Sequence, residues 1–128
     1  MKLNQYKAPR KDIESFLEDL RSLLTSPTFN SERDFLLGGR YERAKNTETL
    51  LALDMDKDDV IEELKKLTVS DYYQSVPDDK NNKMPDFHVF FVSISAKEIY
   101  IKIRIQNIKN VLCISFHFSE YSHGRMPY

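Results

Sequence analysis

Between Glu98 and Ile105 the chain alternates without a fault. Ile99, Ile101, Ile103 and Ile105 fall in one register, and Glu98, Tyr100, Lys102 and Arg104 in the other. Residues two apart in a strand share a face, so the four isoleucines must be covered by something apolar while the polar set lies opposite. A helix would scatter the isoleucines around its circumference, so this segment predicts a strand. Residues 88–95 and 111–118 repeat the same period of two. In the second, Leu112, Ile114, Phe116 and Phe118 fall on one side and Cys113, Ser115 and His117 on the other. Three such runs in succession predict an antiparallel meander over residues 87–118.

The cover for the isoleucines has to come from the preceding residues. After Pro9, apolar residues recur at Ile13, Phe16, Leu17, Leu20, Leu23 and Leu24, which predicts a helix over 10–25 that Pro27 ends. Phe35-Leu36-Leu37 predicts a short strand, and Gly38-Gly39 a turn into the basic stretch from Arg40 to Lys45. Asn46 or Thr47 is expected to cap a short helix carrying Leu50, Leu51 and Leu53. Asp56 and Asp59 make a capping-box start for another, carrying Val60, Ile61, Leu64 and Leu67. Ser70-Asp71 is expected to open a further turn with Tyr72 and Tyr73. Residues 77–85, including Asp79 and Asn82, read as an exposed loop. Helices first and strands last make an α+β protein, with N-terminal helices packed on a small antiparallel sheet that ends in a three-strand meander. At 128 residues the chain is expected to be one domain, with residues 1–28 as an N-terminal helical extension.

Several classes are excluded or disfavoured by composition. The longest apolar runs are four residues, far short of the roughly 18 needed for a membrane-spanning helix. No apolar run follows Lys2, so no secretory leader is expected and a cytoplasmic location is the default. Cys113 is the only cysteine, which rules out an internal disulfide. The formal net charge of −1 conceals an uneven distribution. Residues 1–47 carry nine basic and seven acidic groups, residues 48–86 five and eleven, and residues 87–128 five and two, with all three histidines in the last block. Broad electrostatic coating of duplex DNA is disfavoured, whereas a local cationic site is not.

Hairpin register decides what that site contains. A two-residue turn at Ala96-Lys97 is expected to pair Ser93 with Tyr100, Phe91 with Lys102 and Val89 with Arg104. In the second hairpin, a loop of residues 107–110 keeps the faces apart by pairing Tyr100 with His117, Lys102 with Ser115 and Arg104 with Cys113. One face then gathers Phe91, Ser93, Tyr100, Lys102, Arg104, Ser115 and His117. Cations hold phosphates, an exposed ring stacks on a base, and a histidine or tyrosine moves protons, which together suit single-stranded RNA. Strand cleavage by a 2′-oxygen needs no metal when cations stabilise the phosphorane. The bland alternative is a solvated strand face. His88, His117 and His123 lack metal-site spacing, the acidic run from Asp54 to Asp59 lacks the glycine and distal glutamate of a calcium loop, and no phosphate-binding glycine loop occurs. No metal or cofactor is expected.

The order Asn46-Thr47-Glu48-Thr49-Leu50-Leu51-Ala52-Leu53-Asp54, then Val60, Leu64 and Leu67, then Ser70-Asp71-Tyr72-Tyr73, then Tyr100–Ile105 and Val111–His117, resembles the MqsR-type toxins of bacterial toxin–antitoxin systems. The resemblance covers roughly residues 46–121. It implies a RelE-like fold and a ribosome-independent endoribonuclease that cuts mRNA. The implied partners are single-stranded mRNA and an antitoxin, expected to be a helix-turn-helix protein, in a homodimer or a toxin–antitoxin hetero-oligomer. Carried over by position, the catalytic set is Tyr100, Lys102 and His117, the last replacing a lysine. Gln74 stands where a phosphate-contacting lysine is expected, and a family glutamine has only Phe87 or His88 near its place. Arg104, Arg40, Arg43, Lys45 and Phe91 complete the expected RNA contacts. The competing reading is a catalytically degenerate protein of the same fold that binds a protein or RNA partner without cleavage. It would show no cleavage at any pH, whereas a histidine-dependent nuclease has an activity profile bending between about pH 5 and 8.

Overall fold

The computed structural model describes residues 5–78, 80, 81 and 83–128. Residues 1–4, Asp79 and Asn82 lie outside the described residues, so the expectations that fall on them are not addressed. The elements run α1 (Arg10–Thr25), β1 (Phe35–Leu37), α2 (Arg43–Leu53), α3 (Lys57–Lys65), a 3-10 turn (Val69–Asp71), β2 (Tyr72–Val76), β3 (Phe87–Ile94), β4 (Lys97–Ile105) and β5 (Val111–Phe118). No helix among the described residues is long and apolar enough to cross a membrane.

The strands form one sheet in the order β1-β5-β4-β3-β2. The α+β layout and the C-terminal meander follow the sequence pattern. The sheet is mixed because β1 joins β5 in parallel. Ile99, Ile101 and Ile103 are fully buried together with Ile13, Leu17 and Leu20 of α1 and Val60 and Leu64 of α3. The Asp56–Asp59 capping box forms, each side chain accepting from the other residue's backbone N–H.

Several expectations are corrected. Tyr72 and Tyr73 belong to β2, not to a turn, because Tyr72 finds a core position against Phe90 and hydrogen-bonds Ser75. The first hairpin turns at Ser95-Ala96, whose φ values of 52° and 65° are the left-handed pair that a tight two-residue hairpin requires. Tyr100 therefore faces Phe91 and Lys102 faces Val89. In the second hairpin Tyr100 pairs with His117 and Lys102 with Ser115 as expected. The register then slips, so that Ile103 pairs with Cys113 and Arg104 with Leu112. Ile114 is the extra residue of a bulge. Val111 and Cys113 consequently turn into the core, and burial pushes the Cys113 thiol pKa up.

The bulge has a cause outside its own hairpin. β1 covers β5 only as far as Cys113, and α2 covers the rest of that edge. The Asn46 amide donates to the Ile114 carbonyl at 3.1 Å and accepts from the Phe116 N–H at 2.9 Å, and Thr49 Oγ1 accepts from the Phe118 N–H at 3.0 Å. Asn46 is thus no cap: α2 begins at Arg43, and Asn46 and Thr49 are its buried residues. Gly38, at φ +95°, makes the turn before α2. A Cβ on Gly39 would lie 2.9 Å from Ile114, so only glycine lets the chain cross the bulge this closely.

On the opposite edge His88 is wedged under the Phe16 ring, with centroids 4.4 Å apart, and its Nδ1 lies 2.7 Å from Ser75 Oγ. Burial lowers this imidazole to about 4, against a weaker upward pull from Asp86. Unfolded chain takes up the proton near pH 6.5, whereas native His88 remains neutral until about pH 4. Its contribution is therefore fully present above pH 6.5 and is lost as the pH falls through that window, by about 3 kcal/mol at most. Urea unfolding at pH 7 and 4.5 should show the loss, and His88→Gln should remove most of the difference. An equal pH dependence in wild type and variant would contradict it.

Candidate functional site

Period-two alternation on β4 and pairing with β3 and β5 set the floor of a cavity of about 440 Å³. Phe91, Tyr100 and His117 form one row across the sheet, and Val89, Lys102 and Ser115 the next. The Tyr100 and His117 rings stack at 5.3 Å and 23°, and Phe91 meets Tyr100 edge-on at 5.6 Å. Buried His117 has its Nδ1 2.9 Å from the Phe118 carbonyl. A carbonyl only accepts, so Nδ1 carries the proton and Nε2 is the exchangeable position. Burial, followed by the nearby Glu42 carboxylate, raises the Tyr100 phenol pKa, which keeps it a proton donor at neutral pH. The Lys102 ammonium lies 5.0 Å from the Phe87 ring centroid.

One wall comes from α2 and its leading turn, through Tyr41, Glu42 and Lys45. The other comes from residues 119–128, which run from the end of β5 back across the sheet. Lys45 and Glu120 join these walls in an ion pair at 2.7 Å. This hydrogen bond chiefly lowers the Glu120 carboxyl pKa and raises that of Lys45, with His117 also lowering Glu120. His123 stacks on Phe91 at 4.0 Å, and its Nε2 meets Glu98 at 2.9 Å. That bond to Glu98, followed by the Gly124 carbonyl, raises the His123 pKa. Beyond it, the Gly124 N–H donates to the Tyr73 hydroxyl at 3.2 Å, and Tyr128 stacks on Tyr72 and donates to the Ala8 carbonyl.

Of the residues expected from sequence, Phe91, Tyr100, Lys102, His117 and Lys45 line this cavity. Arg104 does not. It is 6% exposed at the far end of β4, where its guanidinium holds Asp78 at 2.8 Å, the Pro85 carbonyl at 3.2 Å and Gln106 at 3.0 Å. Arg40 and Arg43 are exposed outside the lining, with Arg40 over the Tyr41 ring at 5.7 Å. Gln74 is half-buried and pairs with Val89, which separates it from Lys102 on the same face. Sequence reasoning missed Glu42, Glu120, Tyr41, Tyr73 and His123 in the lining, and Asn46 and Thr49 behind it. The polar pair three apart on leucine-bearing α2 was the one available signal for the last two. A wider groove of about 930 Å³ between α1 and the β4–β5 turn holds none of the expected site residues. Its charged lining residues, Asp12, Asp19 and Asp86, would repel phosphate.

Comparison with known families gives a match. The model of a family described as "Motility quorum-sensing regulator, toxin of MqsA" covers residues 37–118. No curated protein matches the chain. The matched span contains Lys45, Tyr100, Lys102 and His117, and it ends before Glu120, Tyr121 and His123.

Proposed function

The chain belongs to the MqsR toxin family, and from that premise we propose that this toxin of a toxin–antitoxin system is an endoribonuclease that cuts mRNA at the β4–β5 cavity. The observation that carries the proposal is the convergence of Tyr100, Lys102 and His117 in one cavity inside the family-matched span.

The reaction these groups suit is attack of a ribose 2′-oxygen on the adjacent phosphorus. The new P–O2′ bond forms as the P–O5′ bond breaks, leaving a 2′,3′-cyclic phosphate and a 5′-hydroxyl. One proton leaves the 2′-hydroxyl and one is delivered to the departing oxygen, so the exchange balances. His117 Nε2 takes the first. The Tyr100 phenol donates toward the phosphate oxygens or the leaving group. Lys102 and Lys45 neutralise charge that grows on phosphorus. Glu120 holds Lys45 in the resting chain, so an incoming phosphate replaces a carboxylate rather than water.

Expression from a regulated promoter in a bacterial host should arrest growth, co-expression of the cognate antitoxin should restore it, and Lys102→Ala should grow. A harmless wild type with intact cellular mRNA would end this reading. The replacement of the expected lysine by Gln74, screened from Lys102 by Val89, favours a second reading: a partner-binding protein that has lost cleavage. It predicts partner binding with no RNA cut at any pH.

A further inference from the structure

Beside the cavity described above lies another of about 570 Å³, lined by Lys97, Glu98, Phe118 and the segment from Ser119 to Ser122. Ser119, Glu120, Tyr121 and Ser122 line both cavities, so this segment is a shared wall. A chain leaving the first cavity over that wall enters the second.

Tyr121, in this wall, is 83% exposed. An aromatic ring of that exposure on a loose tail would be unremarkable, but this backbone is fastened on both sides. The Ser119 N–H donates to the Glu98 carbonyl at 2.9 Å, and the Ser119 hydroxyl donates to the Tyr121 carbonyl at 3.1 Å. Glu120 is tied to Lys45, and His123 to Glu98 and the Phe91 ring. A ring held outward on a fastened backbone loses little further backbone freedom when a planar ligand stacks on it. The second cavity adds a cation at Lys97, an apolar floor at half-buried Phe118 and a carboxylate at Glu98, one oxygen of which holds His123; its other carboxylate, Glu120, is paired with Lys45. Its volume lies within the range of small-ligand sites.

We propose that this second cavity is a nucleotide subsite of the same active centre, in which Tyr121 stacks on the nucleobase next to the cleaved linkage and Lys97 takes a phosphate oxygen. The subsite rests on the nuclease reading and extends it. It lies in residues 119–122 and at the start of β4, and the wall that forms it lies beyond the span of the family match. Stacking tolerates every base but favours large ones, and Glu98 favours a base that offers an exocyclic amino group.

The test uses the full chain and an oligoribonucleotide spanning a linkage that the wild type cuts. Tyr121→Ala should raise KM about tenfold with kcat little changed, while Tyr121→Phe keeps the wild-type KM. Lys97→Gln should raise KM by a smaller factor and flatten its salt dependence. Removing the nucleobase on the correct side of the cut should raise the wild-type KM as much as Tyr121→Ala does, and should add nothing in that variant. An unchanged KM in Tyr121→Ala, or losses that add, overturns the subsite and leaves the nuclease reading standing. If Tyr121→Ala instead weakens antitoxin binding alone, the cavity is a protein-docking surface and the subsite is overturned. A wild type that cuts no RNA overturns the nuclease reading, and the subsite falls with it.

Discussion

His117→Ala should lower the rate of RNA cleavage by about 10²- to 10⁴-fold, the range expected when a positioned proton-transfer group is removed. The loss should appear in kcat more than in KM, because in the proposed mechanism the imidazole moves a proton while Lys102 and Lys45 hold the phosphate. Stability should fall less sharply than the rate: the buried ring gives up its stack on Tyr100 and its hydrogen bond to the Phe118 carbonyl, but it faces a cavity rather than the isoleucine core. His117→Lys is the more informative variant. It restores the residue implied by the family resemblance, and it should retain activity with the rise moved to higher pH, because an ammonium must lose its proton before it can act as a base. Steady-state rates from pH 5 to 9 measure both. Full activity in His117→Ala would remove the residue from the mechanism.

Asp78→Ala should be the most destabilising single change outside the apolar core, at about 3–5 kcal/mol. The two side chains are only 7% and 16% exposed, and the substitution strands the Arg104 guanidinium without its carboxylate. Burial alone would raise the Asp78 carboxyl pKa. Hydrogen bonds from Arg104 and from the Lys80 and Asn81 backbone outweigh it, and the net shift is downward. A depressed carboxyl stabilises the fold above its unfolded value and loses that contribution as the pH falls through the native one, so this ion pair also weakens in acid. Replacing both partners together, as Asp78→Ala with Arg104→Met, should cost much less than Asp78→Ala alone, because no buried charge remains. Urea unfolding of the single and double variants decides it. Equal losses would mean that the pair is not the source.

The same ion pair shows where sequence reading stops. The alternation of β4 places Tyr100, Lys102 and Arg104 on one face correctly, since a period of two leaves no other choice. It cannot say that Asp78, 26 residues earlier, closes over the third of them. The first hairpin turns one residue earlier than expected. Moving a two-residue turn by one position changes each pairing by two residues, which preserves every face and so leaves no trace in the alternation. The bulge at Ile114 depends on Asn46, 68 residues away, whose amide reads locally as a helix cap. By contrast, the Asp56–Asp59 box and the stripe from Ile13 to Leu24 are local devices, and they form where the sequence predicts them. The walls of the site are the least legible part. Residues 119–128 have no period, and Lys45 meets Glu120 across 75 residues.

Cleavage of RNA by attack of the 2′-oxygen at the proposed site over Tyr100, Lys102 and His117 leaves diagnostic ends. End-group analysis of a defined mRNA incubated with the purified chain reads them out. The expected fragments carry a 2′,3′-cyclic phosphate on one side and a 5′-hydroxyl on the other, and are absent when a 2′-deoxyribose precedes the cut and strongly reduced in His117→Ala. Intact RNA, or fragments with 5′-phosphate ends, would contradict it.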